Sequence, residues 1–185
     1  KTMADVLALP EPDVAAARRT RDRIAGARLF RQRLGSDTPV IGWIEGPLAE
    51  ACDLVGVSEM LMKLAIDPGF SELLLAKTVP TAKVFAQAQI EAGCDVIGMG
   101  DAICSQISPK MYVKYVKEHH RQIVDFIHNQ GARVKVHICG NITHLLPHLR
   151  ELNPDIVDLD WMVDMDQAYE VLGPDIIRTG NLDTV

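Results

Sequence analysis

The chain has 185 residues, of which 48% are hydrophobic and 24% are charged, and its formal net charge is −6. This acidic balance leaves no basic stripe to neutralise phosphates, which argues against a nucleic-acid partner. No run of about 18 uncharged apolar residues is present, so the sequence predicts no membrane-spanning helix. The four cysteines lack paired spacing, which favours free thiols or metal ligands in a cytoplasmic protein over disulfides.

Short apolar runs bounded by Gly, Pro and Asp are typical of buried parallel strands. Five such runs follow one another along the chain: Pro39–Gly46, Cys94–Ala102, Arg133–Gly140, Asp155–Trp161 and Asp175–Asp183. The segments between them have helical patterns. An Arg-rich helix is predicted over residues 13–34, and its charges are interpreted as a solvated face. The later predicted helices are Ser58–Ala92 with a break near Asp67, Pro109–Asn129 with Ser108 as N-cap, Thr143–Leu152, and Asp166–Leu172.

Strands that alternate with helices imply a parallel sheet joined by crossovers. Both an open doubly wound sheet and a (β/α)8 TIM barrel fit this pattern. No Gly-x-Gly-x-x-Gly follows the first strand, which weakens the case for a dinucleotide-binding sheet. A whole barrel needs about 250 residues. Five strands over residues 1–185 are consistent with a single domain that is a fragment of a TIM barrel, with about five of its eight strands. The start at Lys1 also indicates a piece of a longer protein.

The third predicted strand ends in His137 and Cys139. Side chains alternate along a strand, so these two lie on one face with Cα atoms roughly 6.5 Å apart. An imidazole and a thiol at that separation can both reach one Zn²⁺ ion. His-x-Cys alone is a weak signal, because a buried cysteine often serves only as a small hydrophobic residue.

Polar residues also end the other predicted strands, where TIM barrels carry their chemistry. They are Glu45, Asp101, Asp158 with Asp160, and Asn181 with Asp183. Glu45 and Asp183 are explained equally well as helix N-caps. Asp101 and Asp160 lie within apolar strand ends, where a carboxylate needs a partner cation or a substrate. The remaining histidines are predicted to lie on the surface: His119, His120, His128, His144 and His148.

With these residues the chain resembles the uroporphyrinogen decarboxylase superfamily. Within it, the chain is most similar to corrinoid-dependent methyltransferases of the methylcobalamin:coenzyme M kind. The His-x-Cys-Gly-Asn motif of residues 137–141 separates these enzymes from true decarboxylases, which lack it. The matching segments are Glu45–Ala49 running to Asp67-Pro68, Gly100-Asp101 with Ile107–Pro109 and Tyr112, Val136–Asn141, Val157–Trp161, and Gly180–Asp183.

The resemblance implies a TIM barrel with zinc held by His137, Cys139 and a second cysteine expected beyond Val185. It also implies Asp160 as a replaceable zinc ligand and Asp101 as a catalytic residue in the substrate funnel. Zinc would convert an acceptor thiol to its thiolate, which would attack the methyl group of methylcobalamin bound to a corrinoid protein and displace cob(I)alamin. Coenzyme M, another thiol or a folate would be the acceptor.

Two other functions remain open. The chain could be a decarboxylase of a tetrapyrrole, in which Asp101 contacts pyrrole nitrogens and no metal is needed. It could also be a barrel fragment without turnover, which binds a corrinoid partner or forms a homo-oligomer through its unpaired sheet edges.

Overall fold

The computed structural model describes residues 1–183, which contain one five-stranded parallel sheet with the strand order β1-β2-β3-β4-β5. Each strand lies inside one of the five ranges predicted from the sequence. The strands are β1 (Ile41–Glu45), β2 (Val96–Gly100), β3 (Arg133–His137), β4 (Ile156–Leu159) and β5 (Ile177–Gly180).

The helices lie before β1 and between successive strands in sequence. They are α1 (Met3–Leu7), α2 (Arg18–Leu34), α3 (Pro47–Val55), α4 (Val57–Ile66), α5 (Pro68–Glu91), α6 (Pro109–Met111), α7 (Lys117–Asn129), α8 (Leu146–Leu152) and α9 (Met165–Leu172). A π-helical turn (Tyr112–Val116) joins α6 to α7, and two 3-10 segments cover Ala102–Gln106 and Thr143–Leu145. Within residues 1–183, none of the helices is both long and apolar enough to cross a bilayer.

The strand order distinguishes between the two predicted architectures. A doubly wound sheet reverses its order at a switch point, where strands that follow one another in sequence are no longer neighbours. Here each strand pairs with the next one along the chain, without a reversal. This singly wound order is that of a TIM barrel, so the prediction of a partial barrel is confirmed.

Local sequence signals set the helix boundaries where they were expected. Asp67 caps α5 by accepting a hydrogen bond from the Phe70 amide, and Pro68 occupies the first turn, which separates α5 from α4. Ser108 likewise accepts from the Met111 amide and caps α6. Asp and Ser are both preferred at the N-cap because the side-chain oxygen accepts a hydrogen bond from a first-turn amide that has no partner within the helix.

The two faces of the sheet differ in burial. On one face, apolar residues of four strands are buried under the helices: Ile44, Met99, Val136 and Val157. The opposite face is called the open face here, and it carries Glu45, Gly100, His137, Asp158 and Thr179. On this face the Trp43 ring packs directly against Gly98 of β2. A Cβ atom at Gly98 would lie only 2.4 Å from the ring, so glycine is needed there. Large side chains are therefore excluded from β2 on the side where the polar residues gather.

Candidate functional site

Four strand pairings place polar residues in one row across the carboxyl edge of the sheet. Glu45 aligns with Gly100, Gly100 with His137, His137 with Asp158, and Asp158 with Thr179. Residues in register on adjacent parallel strands share a face, so this row lies on the open face. The register thus brings the predicted imidazole of β3 beside a carboxylate of β4.

The predicted His-x-Cys pair is a contacting pair in the structure. The Nε2 atom of His137 lies 3.0 Å from the Sγ atom of Cys139. The thiol is exposed and the imidazole is half-buried. Two such ligands on one tetrahedral zinc ion would lie about 3.5 Å apart, given their usual bond lengths. A small rotation of the Cys139 side chain would open the pair to that distance.

Asp158 contacts three side chains of the open face. Its Oδ2 atom lies 3.1 Å from Lys135 Nζ and 3.1 Å from His137 Nδ1. The Nδ1–H bond does not point at that oxygen, so the second contact has ion-pair distance without hydrogen-bond alignment. The Thr179 hydroxyl donates to Oδ1. Burial by itself raises the pKa of Asp158, but the hydrogen bonds from Thr179 and Lys135 outweigh it and hold the pKa below its ordinary value.

Asp160 organises the turn that follows Cys139. It accepts from the Gly140 amide at 2.9 Å and from the Met162 amide at 3.3 Å. The carboxylate therefore links the end of β4 to the turn that carries the thiol. Burial raises the pKa of Cys139, and the charge of Asp160 raises it further. In the absence of a bound cation, both effects favour the protonated thiol of Cys139 over its thiolate.

An open depression of about 490 Å³ borders the His137 imidazole. It combines acidic, amide and apolar side chains, so it suits a small molecule with both polar and apolar parts. Its lining is His137, Asp158, Leu159, Asp160, Trp161, Gly180, Asn181 and Leu182.

In residues 1–183, no third His, Cys, Asp or Glu has a ligand atom within 4.8 Å of the ligand atoms of both His137 and Cys139. The one group of three that meets this criterion in that part of the chain is Asp101, Cys104 and His120, whose ligand atoms lie within 4.8 Å of one another. The two predicted zinc ligands therefore form an incomplete set here.

Asp101 lies on the helix-covered side of the sheet. Gly100 faces Trp43, since a Cβ atom there would lie 2.6 Å from the ring, so alternation turns Asp101 the other way. Its side chain is 0% exposed. Its carboxylate accepts from the Leu48 amide at 3.1 Å and the Ala49 amide at 2.8 Å, at the start of α3. Asp101 thus caps a neighbouring helix, and its catalytic role stays a prediction.

The prediction that His120 lies on the surface is wrong, because its side chain is 0% exposed. Its Nε2 atom lies 2.8 Å from Asp101 Oδ2, and its Nδ1 atom lies 2.9 Å from the Tyr112 hydroxyl. The prediction failed because a helical sequence does not show which of two adjacent histidines, His119 or His120, faces the sheet. Tyr112, eight residues before His120 in the π-helical turn that leads into α7, is the one sequence feature that could have indicated an inward face.

The buried Asp101–His120 group is better described as a hydrogen-bonded brace than as a metal site. The carboxylate oxygens of Asp101 already accept two amides and contact the imidazole, whose other nitrogen contacts Tyr112. Burial, reinforced by the charge of Asp101, raises the pKa of Cys104 well above its ordinary value. A cation would have to break these bonds and deprotonate that thiol.

The family model and the curated relatives agree on the family. The family model described as uroporphyrinogen decarboxylase matches residues 1–185. Curated relatives called uroporphyrinogen decarboxylase include those of Trichlorobacter lovleyi, 28% identical over 99% of this chain and 55% of the relative, and of Nocardia farcinica, 30% identical over 99% and 52%. The chain thus spans about half the length of the curated relatives it matches.

A solved structure supports the barrel fold. A methyltransferase from Methanosarcina mazei superposes with a TM-score of 0.88 at 22% identity, over 96% of this chain and 53% of that protein. A B12-independent methionine synthase from Shewanella sp. W3-18-1 superposes with a TM-score of 0.58 at 12% identity, over 84% of this chain and 58% of that protein.

Proposed function

The chain belongs to the uroporphyrinogen decarboxylase family, and on that premise we propose that its protein is a zinc-dependent methyltransferase. It would move a methyl group from a methylated corrinoid, presented by a corrinoid protein, to a thiol or folate acceptor. The observation that carries this proposal is the 3.0 Å contact between His137 Nε2 and Cys139 Sγ on the open face. A tetrapyrrole decarboxylase that needs no metal has no use for this pair.

The donor set fits zinc. Imidazole nitrogen and thiolate sulfur are ligands that Zn²⁺ prefers, and the exposed thiol can be reached from solvent. When bound, the ion would supply a positive charge that lowers the pKa of an acceptor thiol, so that the thiolate is the nucleophile. A site with three protein ligands keeps one position for that acceptor.

The chain's own residues would do the rest by holding and orienting. His137 and Cys139 would be two of the ligands, and Asp160 would keep the Cys139 turn in place through the Gly140 amide. Asp160 is also the carboxylate we propose as a replaceable ligand. For Asp101 we propose an indirect part in this function, in which it fixes the first turn of α3, the helix that follows β1.

Decarboxylation of a tetrapyrrole is the second candidate, and the name shared by the curated relatives favours it. The charges of the open face weigh against it. Glu45, Asp158 and Asp160 are acidic, and the nearby Lys135 is already paired with Asp158. A substrate with many carboxylates would meet like charge on this side of the barrel, which is unfavourable for binding.

Two assays on the full-length protein decide between the candidates. We expect methyl transfer from methylcobalamin to a thiol, followed as the spectral change of the corrinoid, with coenzyme M and tetrahydrofolate as parallel acceptors. We expect no loss of carboxyl groups from uroporphyrinogen, followed by chromatography of the oxidised porphyrins. Decarboxylation without methyl transfer would reverse the order of the two candidates.

A further inference from the structure

The two ring nitrogens of His137 face different partners. Nε2 contacts the Cys139 thiol at 3.0 Å, and Nδ1 lies 3.1 Å from Asp158 Oδ2. A thiol can donate its S–H to an imidazole nitrogen only when that nitrogen carries no proton. In the neutral ring the proton would then lie on Nδ1, next to a carboxylate that can only accept.

Asp158 is held in place by residues of both neighbouring strands. Lys135 lies two residues before His137 on β3, so it shares the open face, and its Nζ atom is 3.1 Å from Oδ2. Thr179 of β5 aligns with Asp158 and donates to the other oxygen, Oδ1. Each oxygen therefore has a partner, which prevents the carboxylate from rotating away from the imidazole.

We propose that Asp158 is a positioning residue that keeps the proton of His137 on Nδ1 and thereby presents the Nε2 lone pair to the metal. A carboxylate beside the second nitrogen of a metal-bound imidazole fixes its tautomer and ring orientation. The Nδ1–H bond of His137 is not aligned with Asp158, so here the negative charge at 3.1 Å would favour the proton on Nδ1. The metal part of this inference rests on the proposed function. The tautomer part does not, because it concerns the metal-free ring.

The tautomer can be read directly from long-range ¹H–¹⁵N NMR spectra of the imidazoles in metal-free protein, at a pH where the rings are neutral. We expect wild-type His137 to carry its proton on Nδ1, and the Asp158→Ala variant to shift it partly or wholly to Nε2. Asp158→Asn, which can keep an acceptor oxygen in place, should preserve much of the wild-type tautomer. Wild-type protein with the proton on Nε2, or an Asp158→Ala spectrum unchanged at His137, would overturn the inference.

The chain offers a matched control at the other end of the same strands. Asp155, directly before β4, lies 2.9 Å from His128 Nε2 and also accepts from the Val134 amide. Asp155→Ala therefore removes a carboxylate from a histidine without touching the site. It should change the spectrum of His128 and leave that of His137 unchanged. A change at His137 in both variants would indicate a general loss of structure and would refute a specific role for Asp158.

Zinc affinity, measured by competition with a coloured chelator, tests the metal part. Loss of a partner that orients a metal ligand typically weakens binding by about 10–100-fold. We expect zinc binding to be weakened to this extent in Asp158→Ala and to keep the wild-type affinity in Asp155→Ala. Wild-type protein that binds no zinc would refute the proposed function, whereas the tautomer would still decide the role of Asp158. Zinc bound equally well by wild type and Asp158→Ala would refute the positioning role alone.

Discussion

The Cys139→Ala variant is expected to lose zinc and, with it, methyl transfer. Residues that only orient a metal ligand cost about 10–100-fold in affinity when removed, so loss of a ligand should exceed about 100-fold. Cys139 is the exposed one of the four free cysteines, and its sulfur contacts His137. Zinc affinity by chelator competition and the rate of corrinoid demethylation measure the two effects.

Cys94→Ala is the matched control for this substitution. Cys94 is also a free thiol, but it is buried just before β2 at the opposite edge of the sheet from Cys139. Its replacement should cost some stability and leave zinc affinity unchanged. Full zinc binding and methyl transfer by Cys139→Ala would contradict the assignment of Cys139 as a ligand.

The Asp101→Ala variant is expected to lose several kcal/mol of unfolding free energy, about 1–3 kcal/mol for each buried donor that loses its acceptor. The substitution leaves the Leu48 and Ala49 amides and His120 without their acceptor in a region closed to water. Equilibrium denaturation of the full-length protein in urea measures the loss of unfolding free energy.

A second Asp→Ala variant separates burial from capping. Asp164 also accepts from a backbone amide, that of Gln167 at the start of α9, but it is exposed. An exposed N-cap is worth about 1 kcal/mol, so Asp164→Ala should cost far less than Asp101→Ala. Equal losses in the two variants would show that the buried brace adds nothing beyond an ordinary cap.

The strands and the pair at the end of β3 could be predicted from sequence because both depend on local patterns. Apolar runs bounded by Gly, Pro and Asp located all five strands. Alternation along a single strand was enough to place His137 and Cys139 on one side. Neither inference needs to know which strands are neighbours.

Asp101 and Asp158 show where local patterns are insufficient. The sequence indicates that Asp101 ends a strand, but its direction depends on Gly100 facing Trp43 across a strand pairing. The contact of Asp158 with His137 depends in the same way on the register of β3 and β4. Register is set by packing across the whole sheet, so neither position can be read from one segment.

His120 shows a second limit. Helical periodicity identifies a buried face but does not reveal that a polar residue on it has partners on another element. The partners of His120 are Asp101, after β2, and Tyr112, on the preceding helical segment. Only the packed structure brings these groups together.

Zinc content tests the central claim most directly. Elemental analysis of the full-length protein should find about one zinc per chain, as expected for a single catalytic site. The His137→Ala/Cys139→Ala double variant, purified in parallel, should contain none. Wild-type protein that remains free of zinc after incubation with the ion would contradict the methyltransferase proposal and leave decarboxylation as the better account.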